Sequence, residues 1–334
     1  MSCIRLSIRT EISSRQHFMR EIVYELRVET LVSVSVVVST YTTERLHDVA
    51  RCISSLKKQT FSPDEVILVL DPCEKLVEFY KSRMPPDVRI VVSDDVGLSH
   101  ARNTGVMNAR GEIVAFIDDD ATAEKKWLEN LIRNYEDPQV MGVGGFIEAV
   151  WKSKRPSWFP EELDWIVGCS YKGLPKRRST IRNPIGCNMS FRKMVFENVG
   201  YFRSDIGRLG KKLLASEETE LSIRVLRKIP NSKIIYEPSA LVYHRVNEGR
   251  QSLKYVWTRS FYEGVSKALI SFKSNPLTTL STEDTYLRYL LEVAIPSRLR
   301  RIYRFRNICQ LLTLLFSMFA VFSGFLSGKL GKRG

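Results

Sequence analysis

At 334 residues with 44% hydrophobic content, the chain has apolar surface enough for one large or two modest domains, which excludes the disordered and low-complexity classes. Its formal charge of +14 points to an anionic partner: nucleic acid, an anionic membrane surface or a phosphate-rich small molecule. No acid follows Glu292, while Arg298, Arg300, Arg301, Arg304, Arg306, Lys329, Lys332 and Arg333 crowd the last stretch, so the excess is partly C-terminal and needs no nucleic-acid groove.

Residues 1–30 are mixed and mildly helical, a leader without the apolar core of a signal peptide, with Met19 an alternative start. Cys3, Cys52, Cys73, Cys169, Cys187 and Cys309 show neither CxxC nor zinc-site spacing and read as reduced thiols of a cytosolic protein, although an even number leaves pairing open. Leu31–Ser39 is a β-branched, almost uncharged run expected to be a buried parallel strand, and Thr40–Thr43 can cap the helix after it. That helix, 45–59, sets Leu46, Val49, Ala50, Ile53 and Leu56 at helical spacing. Strands follow at 65–70, ending on Asp71-Pro72, and at 88–92, ending on Ser93-Asp94-Asp95. A turn at Gly97, a short helix and Gly111 lead into a fourth strand, 112–117, which ends on Asp118, Asp119 and Asp120.

Alternating strands and helices predict a doubly wound α/β sheet, in which ligands collect outside the carboxyl ends of the strands. Tyr41, Asp71 and the three aspartates would therefore share one edge. Three adjacent acids repel one another unless they share a cation, and alternation along an extended chain points Asp118 and Asp120 the same way. That pattern suits Mg2+ or Mn2+. A solvated acidic loop capping the next helix, 124–135, is the other reading of the same residues.

Gly142–Phe146 is expected to open a further strand and has neither phosphate-loop spacing. Residues 151–183 form a long irregular segment rich in Trp, Pro, Lys and Arg, a length usually functional or mobile. After Asn183–Arg192 and a short helix stopped at Gly200, Ser216 is expected to cap a helix running to Lys228. Glu217 and Glu218 lie in its first turn, where the helix dipole favours acids; it would also keep a general base ionised. Strands at 233–236 and 240–243, around a Glu237-Pro238 turn, deliver His244. Residues 251–271 form an aromatic, basic, amphipathic helix whose Trp257, Phe261 and Tyr262 suit either core packing or a lipid headgroup boundary. Ile308–Leu326 is uncharged and spans about 28 Å as a helix, which reads as a transmembrane segment. The arginines before it place the preceding chain on the cytoplasmic side by the positive-inside rule, while the basic residues after it would also suit a helix lying on the surface.

The blocks STYTTERL, QTFSPDEVILVLD, GLSHARNTGVMNARGEIVAFIDDD, GCNMSFRK, SEETELSIRVLR and YEPSALVYHRV, in this order, resemble the family 2 glycosyltransferases over roughly residues 31–270. The resemblance implies a GT-A, Rossmann-like mixed α/β sheet flanked by helices, a nucleotide-sugar donor, Mg2+ or Mn2+, and inverting transfer to an acceptor hydroxyl. It assigns Ser39, Thr40, Tyr41, Asp71, Arg102, Asp118 and Asp119 to nucleotide-sugar binding, with the Tyr41 ring on the base and Arg102 near the diphosphate. Asp120, Asp118 and His244 become metal ligands, and Glu218, with Glu217 beside it, the catalytic base. Two departures stand out. Glu217-Glu218 replaces the usual Glu-Asp, and Pro72-Cys73 follows Asp71 where another acid, glycine or serine is usual. The expected organisation is a leader (1–30), a catalytic domain (31–250), an amphipathic basic region (251–307), a transmembrane helix (308–327) and a basic tail (328–334). The acceptor is expected to be a lipid-linked or growing saccharide at a membrane, with no nucleic acid involved. A nucleotidyltransferase or a non-catalytic membrane-associated module are the alternatives; the first normally shows a glycine-rich basic loop after its first strand, which STYTTERL is not.

Overall fold

Seven residues, Val34–Thr40 (β1), form an interior strand of the sheet because Val34, Val36, Val37 and Val38 can be buried on both faces at once. The computed structural model describes residues 32–207, 213–271 and 281–331, and the fold is that of the unit Val34–Gly334. The expected leader with Met19, and Lys332 and Arg333 of the basic tail, lie outside the described residues.

β1 pairs in parallel with Glu65–Leu70 (β2) on one side and Ile113–Asp118 (β4) on the other, and β2 pairs in parallel with Val88–Val92 (β3). Leu46–Leu56 (α1), Glu74–Lys81 (α2) and Leu98–Asn108 (α3) are the intervening helices. The sheet then turns mixed. Asn188–Arg192 (β8) runs antiparallel between β4 and Val140–Trp151 (β6), and β6 pairs in parallel with Lys233–Val246 (β9). Two short strands, Ala121–Ala123 (β5) and Ser179–Ile181 (β7), pair antiparallel with β9 and complete nine strands. Phe116, Met189, Phe191, Phe196, Phe202, Leu221 and Val225 form a continuous core joining the sheet to α3, Lys193–Val199 (α5) and Glu217–Lys228 (α6). Trp127–Ile132 (α4) follows β5.

Two local expectations are corrected. The two strands expected around Glu237-Pro238 are one strand, β9, carrying a bulge: its partner register jumps from Gly145↔Glu237 to Phe146↔Leu241. Pro238 has no N–H to give a ladder, and a bulge is where a strand tolerates that. The bulge presses on Gly145, where a Cβ would lie 1.9 Å from the Ala240 carbonyl oxygen. Asn188 fixes the crossing, its Nδ2 donating to the carbonyls of Phe146 (2.9 Å) and Ala240 (2.8 Å) while its Oδ1 accepts from Trp127 Nε1 (2.8 Å). Ser216, the expected cap of α6, sits at φ +85° and its hydroxyl caps nothing. The chain enters α6 through a left-handed residue, and the side chain lies instead near Lys267 Nζ (3.4 Å).

The C-terminal region is helical. Leu253–Ser271 (α7), Ser281–Tyr289 (α8) and Ile295–Leu299 (α9) precede Phe305–Leu330 (α10), which is long and apolar enough to cross a membrane. α10 lies parallel on α7: Trp257 meets Phe316 and Phe319, Ser260 bonds Ser317 (2.8 Å), and Gly264 faces Val321. Gly324 and Gly328, one helical turn apart, permit this approach, because a Cβ at Gly324 would lie 1.9 Å from the Phe261 carbonyl oxygen. Trp257 is therefore a packing residue of the helix pair. Only 33% of the most apolar window of α10 is buried, and Leu312, Leu315, Phe319, Phe322 and Leu326 form an open stripe. Gly324→Leu should cost about 1–3 kcal/mol by overpacking this seam, read as a lowered Tm of the full chain in detergent, whereas Leu326→Ala should change it little.

Candidate active site

Parallel register brings the strand ends level: Thr40 lies opposite Leu70 and Ser39 opposite Asp118. Tyr41 follows β1 with 62% of its surface exposed, and the Arg45 guanidinium lies 5.2 Å from its ring centre. Thr40 is buried beneath it. Asp71 follows β2, its amide donating to the Thr40 carbonyl (3.3 Å). Burial raises the Asp71 carboxyl above its ordinary range, against a backbone hydrogen bond from Gly97.

β4 delivers the three aspartates in three different settings. Asp118 is partly exposed and lies 3.5 Å from Arg102 Nη2. Asp119 is turned into the protein and accepts from Arg45 Nη1 at 2.5 Å, so it fixes the guanidinium that leans on Tyr41. Asp120 is buried; its Oδ1 is 3.1 Å from His244 Nε2, and its Oδ2 is 3.3 Å from Arg45 and 3.7 Å from Arg250. Pairing of β5 with β9 sets Ala121 opposite His244, and the Arg245 amide donates to the Asp120 carbonyl (3.0 Å). Ligand atoms of Asp118, Cys187 and His244 all lie within 4.8 Å of one another. β4 ends at Asp118, and Asp119 and Asp120 lie in the turn after it, so the alternation expected of an extended chain stops there; Asp118 and Asp120 both come near His244, while Asp119 and Asp120 share Arg45. Burial works against Asp120 as an anion, but His244, Arg250 and Arg45 outweigh it and hold the carboxyl far below its usual range. Asp119 is shifted upward, by burial and by the Asp120 charge, despite Arg45. His244 Nδ1 faces the Cys169 sulfur (3.5 Å).

The start of α6 joins this group through Arg102, which is only 3% exposed. One of its Nη atoms donates to Glu217 (2.5 Å), and the other donates to the Gly186 carbonyl (2.9 Å) and faces Asp118. Glu217 is buried in that ion pair. Glu218 is partly exposed, and lost solvation together with the Glu217 charge pushes its carboxyl up to about 7. This corrects the expectation that the helix dipole keeps it ionised; a dipole effect of about 1 kcal/mol is smaller than the desolvation it opposes. A recess of 330 Å³ opens beside Asp120, lined in part by Arg45, Lys152 and Arg245. The structure therefore brings Asp118, Asp120, His244, Arg102, Glu217 and Glu218 together, with Ser39, Thr40, Tyr41 and Asp71 farther along the same edge.

Comparison with known proteins gives the family. Residues 35–200 match the model of glycosyl transferase family 2. A glucosyl-dolichyl phosphate glucuronosyltransferase of Haloferax volcanii is 33% identical over 288 residues, covering 84% of this chain and 90% of that protein. The chain belongs to the family 2 glycosyltransferases. This family 2 enzyme is also 26% identical to the succinoglycan biosynthesis protein ExoM of Rhizobium meliloti, over 68% of the chain and 71% of that protein. Among solved structures, a mannosyltransferase of Pyrobaculum calidifontis in complex with GDP-Man and Mn2+ aligns with a TM-score of 0.56 at 15% identity, covering 96% of this chain and 97% of that one, which establishes the GT-A fold. Membership of the family sets aside the nucleotidyltransferase alternative.

Arg45, Arg250, Cys187 and Asn188 escaped the sequence reading. Arg45 and Asn188 lie inside the quoted blocks, and Arg250 lies six residues after His244, but only their partners distinguish them from surface or core positions.

Proposed function

We propose that this glycosyltransferase moves a sugar from a nucleotide-diphosphate donor to a hydroxyl of a lipid-linked acceptor, at the cytoplasmic face of a membrane and with Mn2+ or Mg2+. The supporting observation is the convergence of Asp118, Asp120 and His244 at the carboxyl ends of the parallel strands, joined through Arg102 to Glu217, the neighbour of Glu218. Two carboxylates and an imidazole suit a hard divalent cation, and the depressed carboxyl of Asp120 keeps it anionic for that purpose. Asp118, Asp120 and His244 would hold the ion, which when bound neutralises charge gathering on the departing diphosphate.

The remaining steps belong to the chain itself. Tyr41 offers an exposed ring to the base and Asp71 a carboxylate to its N–H, while Ser39 and Thr40 shape that edge. Arg45, held by Asp119, orders the Tyr41 side. Glu218 takes the proton of the attacking hydroxyl, and a carboxyl titrating near 7 matches base strength to neutral pH. Arg102 positions both ends of the site by holding Glu217 and Asp118. The Haloferax relative is named for an acceptor carried on dolichyl phosphate, and the open apolar stripe of α10 gives this chain a place to meet such a lipid.

A thermal-shift screen of UDP- and GDP-sugars in Mn2+ should find a donor that stabilises the full chain by about 2.7 kcal/mol at a hundred times its Kd, and EDTA should remove the effect. A complete absence of donor response with Mn2+ present would overturn the proposal.

A further inference from the structure

Away from the aspartates lies a larger cavity of 480 Å³, bounded by Lys172 and by the turn between α9 and α10. Six of its nine lining residues are cationic (Lys172, Arg298, Arg300, Arg301, Arg304 and Arg306) and none is acidic. Two of the six are already neutralised. Arg298 is buried in a two-pronged pair with Glu162 (2.6 and 3.2 Å), and Lys172 lies 3.5 Å from Glu161. Arg300, Arg301, Arg304 and Arg306 have no ion pair among the described residues, and the chain after Glu292 holds no acid that could supply one. Four like charges within seven residues repel unless an anion is shared among them. Guanidinium groups suit phosphate oxygens because their N–H fork matches two oxygens at once.

The surroundings say what bears the phosphate. The turn interleaves its arginines with exposed Leu299, Ile302, Tyr303 and Phe305. An anion seated here therefore has apolar side chains beside it. We infer that this cavity binds the phosphate headgroup of a lipid whose hydrocarbon chain lies against these residues, where the turn feeds into α10. Basic recesses at the foot of membrane helices take lipid phosphates by the same physics.

The cavity also adjoins the catalytic edge. Gly168 lies against His244 and Arg250, and Lys172 is four residues farther on, so at most about 14 Å of chain separates the two sites. That the bound lipid is the acceptor rests on the function proposed above; that the cavity binds lipid phosphate does not.

The test uses the full chain in phosphatidylcholine nanodiscs, with undecaprenyl phosphate, phosphatidic acid or inorganic phosphate added in turn. The lipid phosphates should raise Tm by a few degrees, and Arg301→Gln/Arg304→Gln should abolish that shift while leaving the Tm without added phosphate unchanged. That unchanged melt shows that the variant is folded. A larger response to the polyprenyl phosphate identifies an acceptor subsite, and equal responses identify a headgroup anchor; both uphold the inference. A full shift from inorganic phosphate alone, or lipid shifts that survive the double substitution, would overturn it. Failure of the donor screen leaves this result untouched.

Discussion

Glu218→Gln should lower turnover by roughly 10²–10⁴-fold, the usual contribution of a positioned general base. The amide keeps the size of the side chain and the hydrogen bond it accepts from Thr219 Oγ1 (3.1 Å), but it cannot take a proton. Donor stabilisation should be nearly unchanged, because the loss falls on the acceptor's proton and not on the diphosphate. The wild-type pH profile provides a second readout. The base works only when deprotonated, and its carboxyl is pushed up to about 7, so kcat should rise with pH through about 7 and level off above it. In Glu218→Gln that rising limb should vanish from the residual rate. Wild-type turnover in this variant would move the base to another residue, Glu217 first.

Arg102→Met should cost about 3–5 kcal/mol of stability, the range expected when one partner of a buried ion pair is removed. The penalty arises from what stays behind. Glu217 would remain buried with no counter-charge, and one of its carboxylate oxygens already lacks a hydrogen-bond partner among the described residues. Asp118 and the Gly186 carbonyl would lose their contact in the same step. The double variant Arg102→Met/Glu217→Leu should recover much of the loss, since a buried pair replaced by apolar side chains is often neutral. Denaturant midpoints of the four proteins in this cycle measure the coupling. If Arg102→Met alone stays within about 1 kcal/mol of wild type, Arg102 is not the buried tie between α3, β4 and α6.

These two residues mark the division between local pattern and assembled structure. The β-branched runs at β1, β2 and β4 are legible in sequence because a strand covered on both faces leaves little freedom in composition. The aspartates after β4 are legible as a group of acids at a strand end, but the sequence alone leaves a solvated acidic loop as an equal reading of them. Legibility fails where a residue's environment is supplied by distant chain. Glu218 looked like an acid stabilised by a helix dipole, yet its titration is governed by its burial and by Glu217 beside it. Ser216 is a cap by residue type alone, but it stands at positive φ with its hydroxyl beside Lys267. Gly324 is one residue of an uncharged segment in sequence, and only the approach of the Phe261 backbone makes it a seam residue.

Sequence by itself determined that a parallel α/β sheet would present carboxylates at one edge and that a long uncharged helix would follow a run of arginines. Both depend on periodicity and composition, which neighbouring residues express without help. Tertiary structure alone decided that Asp120 meets His244, through the pairing of β5 with β9, and that Arg102 joins Asp118 to Glu217. It likewise decided that four arginines of one turn close a cavity against Lys172. Apart from Arg102–Asp118, each of those contacts joins residues more than a hundred positions apart, and the register of strands and the seating of helices that create them are fixed only when the whole core packs.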